Sequence, residues 1–230
     1  MNGISCDLTR CFLCRHSMPE WKELIALKKK TLFIKKGKTV FREGEKVEGM
    51  FFLYSGAVKI HAPWVDGREM IVRFARGGEI VGHRGYGGGG PDSDVVYPVS
   101  ATALEDTTAC FITNDFLEAS LRANPSLTYT LMLFYATELQ KAEKRMRDLT
   151  HMDVKGRIAN ALLDIEAIFG RNGDGVIALA LTRQDIAAYA STTYETVFKF
   201  FTELTAAGII CTAGKEIRIQ QADRLRVLAG

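Results

Sequence analysis

The chain has 230 residues, of which 47% are apolar and 25% charged, a balance that fits a folded globular protein and excludes a disordered one. Thirty basic residues against twenty-seven acidic ones leave a net charge of +3, which neither demands a nucleic-acid partner nor rules one out. No apolar run is long enough to cross a bilayer and no secretory leader is expected, so the chain is placed in the cytoplasm, away from membranes.

Residues 1–20 form an N-terminal segment that carries Cys6, Cys11 and Cys14. Five cysteines are an odd number, and a disulfide framework is a poor account of them in a reducing compartment. Residues 21–122 read as short strands punctuated by turns. Examples are Met50–Tyr54 before Ser55-Gly56, Ala57–His61, and Met70–Phe74 before Gly77-Gly78. Aromatic and β-branched residues suit pleated, half-buried positions, and turn signals every ten residues or so predict an antiparallel roll. The glycine run Gly87–Gly90, closed by Pro91, reads as a mobile loop.

Residues 123–150 are expected to be one long helix opening at Asn124-Pro125, where proline is tolerated in the first turn. Thr128, Met132, Tyr135, Leu139, Ala142, Met146 and Leu149 alternate at spacings of four and three. That seam predicts a helix pairing with a copy of itself, with Met132, Tyr135, Leu139, Ala142, Met146 and Leu149 at the interface. Glu138, Lys141, Glu143, Lys144, Arg145, Arg147 and Asp148 read as its solvated flank.

Residues 151–230 read as a separate domain: a helix over 153–169, a turn at 171–175, a short strand over Val176–Leu181, two short helices and a terminal hairpin. Thr182 and Asp185 have capping-box spacing at the start of the first short helix. A break at Ser191-Thr192-Thr193 leads into the second, from Tyr194 to Ala206. Val197, Phe200, Phe201 and Leu204 give it one apolar face and leave polar residues on its first turns. Two short helices with a tight turn, followed by a hairpin, predict a winged helix-turn-helix. Candidate DNA-binding residues are Thr182, Arg183, Thr193, Tyr194, Glu195, Thr196 and Lys199. Glu195 can accept from cytosine and Lys199 can donate to guanine or phosphate. Arg183 is placed for the backbone. Residues 151–230 carry nine basic and nine acidic side chains, so affinity for DNA calls for two copies and a local basic patch. Cys211, in the hairpin, reads as a core residue. The sequence shows no catalytic triad, no paired carboxylates on one helix and no P-loop, so no enzyme activity is expected.

The order and spacing of Phe41-Arg42-Glu43-Gly44-Glu45, Phe52–Gly56, Gly78–Gly82, Asp153–Ala159, Leu181–Ala187 and Tyr194–Val197 resemble the Crp/Fnr family of bacterial transcription regulators. The resemblance implies an α+β architecture. It comprises an N-terminal antiparallel β-roll of the cyclic-nucleotide-binding jelly-roll type, a long dimerisation helix and a C-terminal winged helix-turn-helix. It also implies a homodimer on palindromic double-stranded DNA, with RNA polymerase as protein partner and a small-molecule effector of unknown identity. The corresponding effector pocket comprises Gly82, His83, Arg84, Tyr97 and Ser100. In members that bind cyclic AMP, a glutamate holds the ribose and an arginine neutralises the phosphate. His83 and Tyr97 stand at those places here. A buried phosphodiester without its cation costs several kcal/mol, roughly, so the resemblance implies a member that does not bind cyclic AMP. Tyr194 replaces a frequent arginine, and Ser191 replaces the turn glycine. If Ser191 has positive φ, serine costs about 1 kcal/mol relative to glycine.

In oxygen-sensing iron–sulfur members, three N-terminal cysteines and one in the strand corresponding to that of Cys110 hold a cluster. Cys6, Cys11, Cys14 and Cys110 are the candidate metal ligands here, although their spacing differs. The readings open at this point are a [4Fe-4S] cluster, zinc held with or without His16, a thiol redox switch, and inert thiols. His83 is also a haem candidate, because haem-sensing members ligate iron from this region. Control by an effector or a redox or metal signal in the roll is the leading expectation. A constitutive DNA-binding protein, with the roll only a dimerisation platform, is the alternative.

Overall fold

A computed structural model describes residues 11–64, 67–87 and 95–230. Two compact units emerge: one runs to Ala62 and includes Arg73–Leu139, the other joins Pro63–Val72 to Gln140–Gly230.

The first unit begins with two helices, α1 (Phe12–His16) and α2 (Pro19–Lys28), where the sequence signals only a cysteine-bearing segment. Eight strands follow: β1 (Lys30–Ile34), β2 (Thr39–Phe41), β3 (Gly49–Ser55), β4 (Ala57–Pro63), β5 (Glu69–Arg76), β6 (Ile80–Val81), β7 (Ser100–Ala103) and β8 (Thr107–Thr113). They form two four-stranded sheets, ordered β1-β8-β3-β6 and β2-β7-β4-β5. This is the expected roll. Register is pinned by the apolar face: Phe52 pairs with both Cys110 and Ile80, and all three side chains are buried. At the β3–β4 turn, Gly56 has φ +91, and a Cβ there would lie 2.4 Å from the Thr107 hydroxyl. Only Gly87 of the glycine run, an exposed turn residue, belongs to the described residues; Gly88–Gly90 lie outside them.

Helix α3 (Asn114–Ala123) leads into α4 (Pro125–His151), the long helix read from the sequence. Leu127 and Leu131 of α4 enter the roll core with Phe12, Leu13, Met50, Ile80 and Ile112. Fully burying each such side chain stabilises by about 1.5–3 kcal/mol.

In the second unit α5 (Val154–Phe169) is capped by Asp153, whose carboxylate accepts from the Gly156 N–H at 2.6 Å. Helices α6 (Arg183–Ala190) and α7 (Tyr194–Ala206) precede the hairpin β9 (Ile210–Ala213) and β10 (Glu216–Ile219). A final helix, α8 (Ala222–Ala229), packs on α5 and was not signalled by the sequence. Val176–Leu181 is not a strand. Ile177 makes a single bridge to Arg171 and donates to the Ile217 carbonyl, so this buried apolar run finds no continuous partner. Cys211 is exposed rather than core, because the period of two puts Ile210 inward and its neighbour outward.

Candidate functional site

Helices α6 and α7 are set by their caps. Thr182 Oγ1 accepts from the Asp185 N–H at 3.0 Å, while the Asp185 carboxylate accepts from the Thr182 N–H at 3.2 Å. The capping box read from the sequence is therefore formed, which also occupies the Thr182 hydroxyl. Thr193 caps α7: its hydroxyl accepts from the Thr196 N–H and lies 3.0 Å from the Thr196 hydroxyl. Between the helices Ser191 has φ +51, the one non-glycine residue with positive φ among the described residues. The left-handed conformation that costs serine more than glycine is therefore present. The Arg157 guanidinium holds this turn through the Ala190 and Ser191 carbonyls.

Val197, Phe200, Phe201 and Leu204 form the buried face of α7, as the sequence predicts, and Tyr194, Glu195 and Lys199 are exposed with Thr193. Its own backbone N–H and the Thr193 hydroxyl hold the Glu195 carboxyl below its ordinary range, so it is an acceptor at neutral pH. Arg183 is half-buried. Its guanidinium lies 4.2 Å over the Phe201 ring, and Nη1 is buried without a hydrogen-bond partner. Burial lowers its pKa.

In the first unit the fold gathers cysteines from distant segments. Cys11, at the N-cap of α1, Cys14 within α1 and Cys110 on β8 are all buried in one cluster. Hydrogen bonds with Cys110 and then Cys14 lower the Cys11 thiol to about 3, outweighing its burial. Those contacts favour the thiolate, the form that ligates metals and attacks disulfides. Taken by themselves, the described residues contain no group of three or more ligand-type side chains arranged to hold a metal ion. Cys6 lies outside the described residues. His16 is half-buried, and its ring lies 4.8 Å from that of Phe12, tilted by 54°.

The residues read as an effector pocket are brought together only in part. Gly82 has φ +84, and a Cβ there would lie 3.3 Å from the Phe51 and Tyr97 rings. The Tyr97 ring stacks on Phe41 at 4.1 Å, and its hydroxyl donates to the Gly49 carbonyl at 2.9 Å. His83 follows in a single 3-10 turn with Arg84, and its ring is packed edge-on against Phe134 and Tyr135 of α4. Its Nδ1 is buried without a hydrogen-bond partner. Burial, followed by the Arg73 charge, lowers its pKa to about 3, so the ring is neutral. Ser100 is turned elsewhere: its hydroxyl accepts from the Glu43 N–H.

Met132, Leu139, Ala142, Met146 and Leu149 lie exposed along α4. Tyr135 differs: it is half-buried, and its hydroxyl donates to the His83 carbonyl at 2.7 Å. Two flank residues depart from the sequence reading. Glu138 is buried and pairs with Arg73 at 2.9 Å, while a second nitrogen of that guanidinium reaches Glu79 at 2.9 Å and the Ile80 carbonyl at 3.0 Å. Arg145 donates to the Ile71, Val72 and Tyr189 carbonyls at 2.7, 2.8 and 2.6 Å and covers the Tyr189 ring. Each partner is remote in sequence, so helical periodicity carries no sign of it.

Residues 31–124 match the family described as the cyclic nucleotide-binding domain, and residues 156–228 match the Crp-like helix-turn-helix domain. The transcriptional activator protein anr of Pseudomonas aeruginosa is 33% identical over 86% of this chain and 79% of its own length. The chain belongs to the Crp/Fnr family. Among other relatives, a CRP-like cAMP-activated global transcriptional regulator of Mycobacterium tuberculosis is 29% identical over 83% of this chain and 84% of that protein. The structure of FixK2 from Bradyrhizobium japonicum matches with a TM-score of 0.74 and 26% identity, covering 88% of this chain and 98% of that one. This Crp/Fnr protein is accordingly a DNA-binding transcription regulator and not an enzyme, and it has the expected α+β fold. Among the described residues, no helix is long and apolar enough to cross a membrane.

Proposed function

We propose that this Crp/Fnr regulator acts as a homodimer on palindromic DNA and takes its signal through the thiols at the base of α4. The observation that carries the reading is the convergence of Cys11, Cys14 and Cys110 in the core that also holds Leu127 and Leu131. In residue type these thiols, with Cys6 as the fourth ligand, match a [4Fe-4S] cluster, which would supply oxygen- and redox-sensitive chemistry, and Cys11, Cys14 and Cys110 would have to rearrange to hold it. The chain's own part is transmission. Phe12, between Cys11 and Cys14, packs against Phe134 at 5.9 Å, so a rearrangement at the thiols bears directly on α4. The exposed stripe of Met132, Leu139, Ala142, Met146 and Leu149 would pair with that of a second copy. A shift in that pairing would place or withdraw two recognition helices roughly 34 Å apart in successive major grooves. RNA polymerase would be the protein partner. Cyclic AMP does not fit this proposal, since Tyr97 offers a phosphodiester no cation.

Iron and sulfide analysis of anaerobically purified protein tests it. Protein that binds iron and has visible absorption, both lost in Cys110→Ser, is the expected result. Colourless protein with no iron under those conditions rejects the cluster. The hydrogen bond between Cys11 and Cys110, both free and buried, favours a second reading, a disulfide switch. Mass spectrometry after mild oxidation would then find a Cys11–Cys110 bridge.

A further inference from the structure

One residue of α7 has no role so far. Phe198 is 56% exposed, outside the buried face formed by Val197, Phe200, Phe201 and Leu204. Helical spacing puts it on one outer face with Glu195, Lys199 and Thr202, all exposed. Tyr194, one turn earlier, stacks on it with ring centroids 6.3 Å apart and planes at 21°. The two rings make one continuous apolar patch on the N-terminal half of the helix, beside the Glu195 carboxylate and Lys199.

We propose that Phe198, buttressed by Tyr194, reads thymine 5-methyl groups, so that each operator half-site carries a thymine beside the bases reached by Glu195 and Lys199. The inference rests on the placement of α7 in the major groove. Within that groove, base edges present donors, acceptors and a single kind of apolar group, the thymine methyl. A phenylalanine can satisfy no donor or acceptor there. Exposed among charged neighbours, it would gain there by covering a methyl.

The test uses full-length protein and duplexes recovered by in vitro selection from a random pool. In the recovered operator each thymine is replaced in turn by deoxyuridine, and binding is followed by fluorescence anisotropy. At one symmetric position the wild type should lose about fourfold in affinity per half-site, the effect of withdrawing one methyl from an apolar contact. Phe198→Ser should be indifferent to the same replacement and should no longer select thymine there. Phe198→Leu, which keeps apolar bulk, should retain part of the response. Equal sensitivity in wild type and Phe198→Ser, or none at any position, overturns the proposal. Lys199→Ala keeps the two readings apart. If it weakens binding and flattens the salt dependence while deoxyuridine has no effect, only the methyl contact fails. If it changes nothing, α7 is not in the groove and both readings fail.

Discussion

Replacing Arg73 with methionine should destabilise the first unit by about 3 kcal/mol, far more than a surface charge would. The guanidinium is 11% exposed and the Glu138 carboxylate 8%, so neither is well screened by water. At a charge separation of about 4 Å and an effective dielectric of about 20, their attraction is about 4 kcal/mol. The second carboxylate, Glu79, is more exposed, so its pairing with Arg73 adds less. The variant also loses the hydrogen bond to the Ile80 carbonyl and the cation–π contact with Phe134 at 5.6 Å. Glu138→Leu should cost a similar amount, since it leaves the guanidinium buried with one carboxylate fewer. In the double variant, apolar side chains replace the pair, and most of the loss should be recovered, giving a coupling of about 2 kcal/mol or more. Urea unfolding monitored by the fluorescence of Trp21, which stacks on Phe116 in the same unit, reads these values. Single variants that cost under about 1 kcal/mol and add without coupling would show that the pair behaves as an exposed bridge.

Ser191→Gly should stabilise the second unit by about 1 kcal/mol by relieving the left-handed strain at φ +51, seen as a raised unfolding midpoint; a lowered one refutes the strain argument. The folded His83 pKa lies near 3, below the unfolded 6.5, so the unfolded state binds more protons between those values. Its contribution to stability is full above pH 6.5 and falls by up to about 1.4 kcal/mol per pH unit on acidification toward pH 3. His83→Phe should remove one proton's worth of that slope in denaturation curves taken from pH 7 to 4, and an unchanged slope would clear His83 of the effect. Arg145→Met should cost the second unit about 2 kcal/mol, because a cation donating to three carbonyls is lost; calorimetry that finds no change contradicts the bonding seen around Arg145.

Features that depend on neighbours along the chain could be read directly from the residues. The α4 stripe follows from a period of three and four, the capping box from Thr182 and Asp185 three residues apart, and the buried face of α7 from Val197, Phe200, Phe201 and Leu204. The roll was legible because alternation and turn residues repeat at short range. Helices α1, α2 and α8 were not, because each is short and gains its stability from packing on other elements. Which polar groups of α4 go inside is settled by long-range packing. Glu138 and Lys141 look alike on a helical flank, and Glu138 is buried because Arg73, 65 residues earlier, comes to meet it. The same holds for Cys11 and Cys110, brought together by the pairing of β8 with β3 and the packing of α1 beneath it. Local pattern fixes secondary structure through backbone geometry, whereas the partner of a buried charge or thiol is set by chain closure over long distances, which no short window of sequence contains.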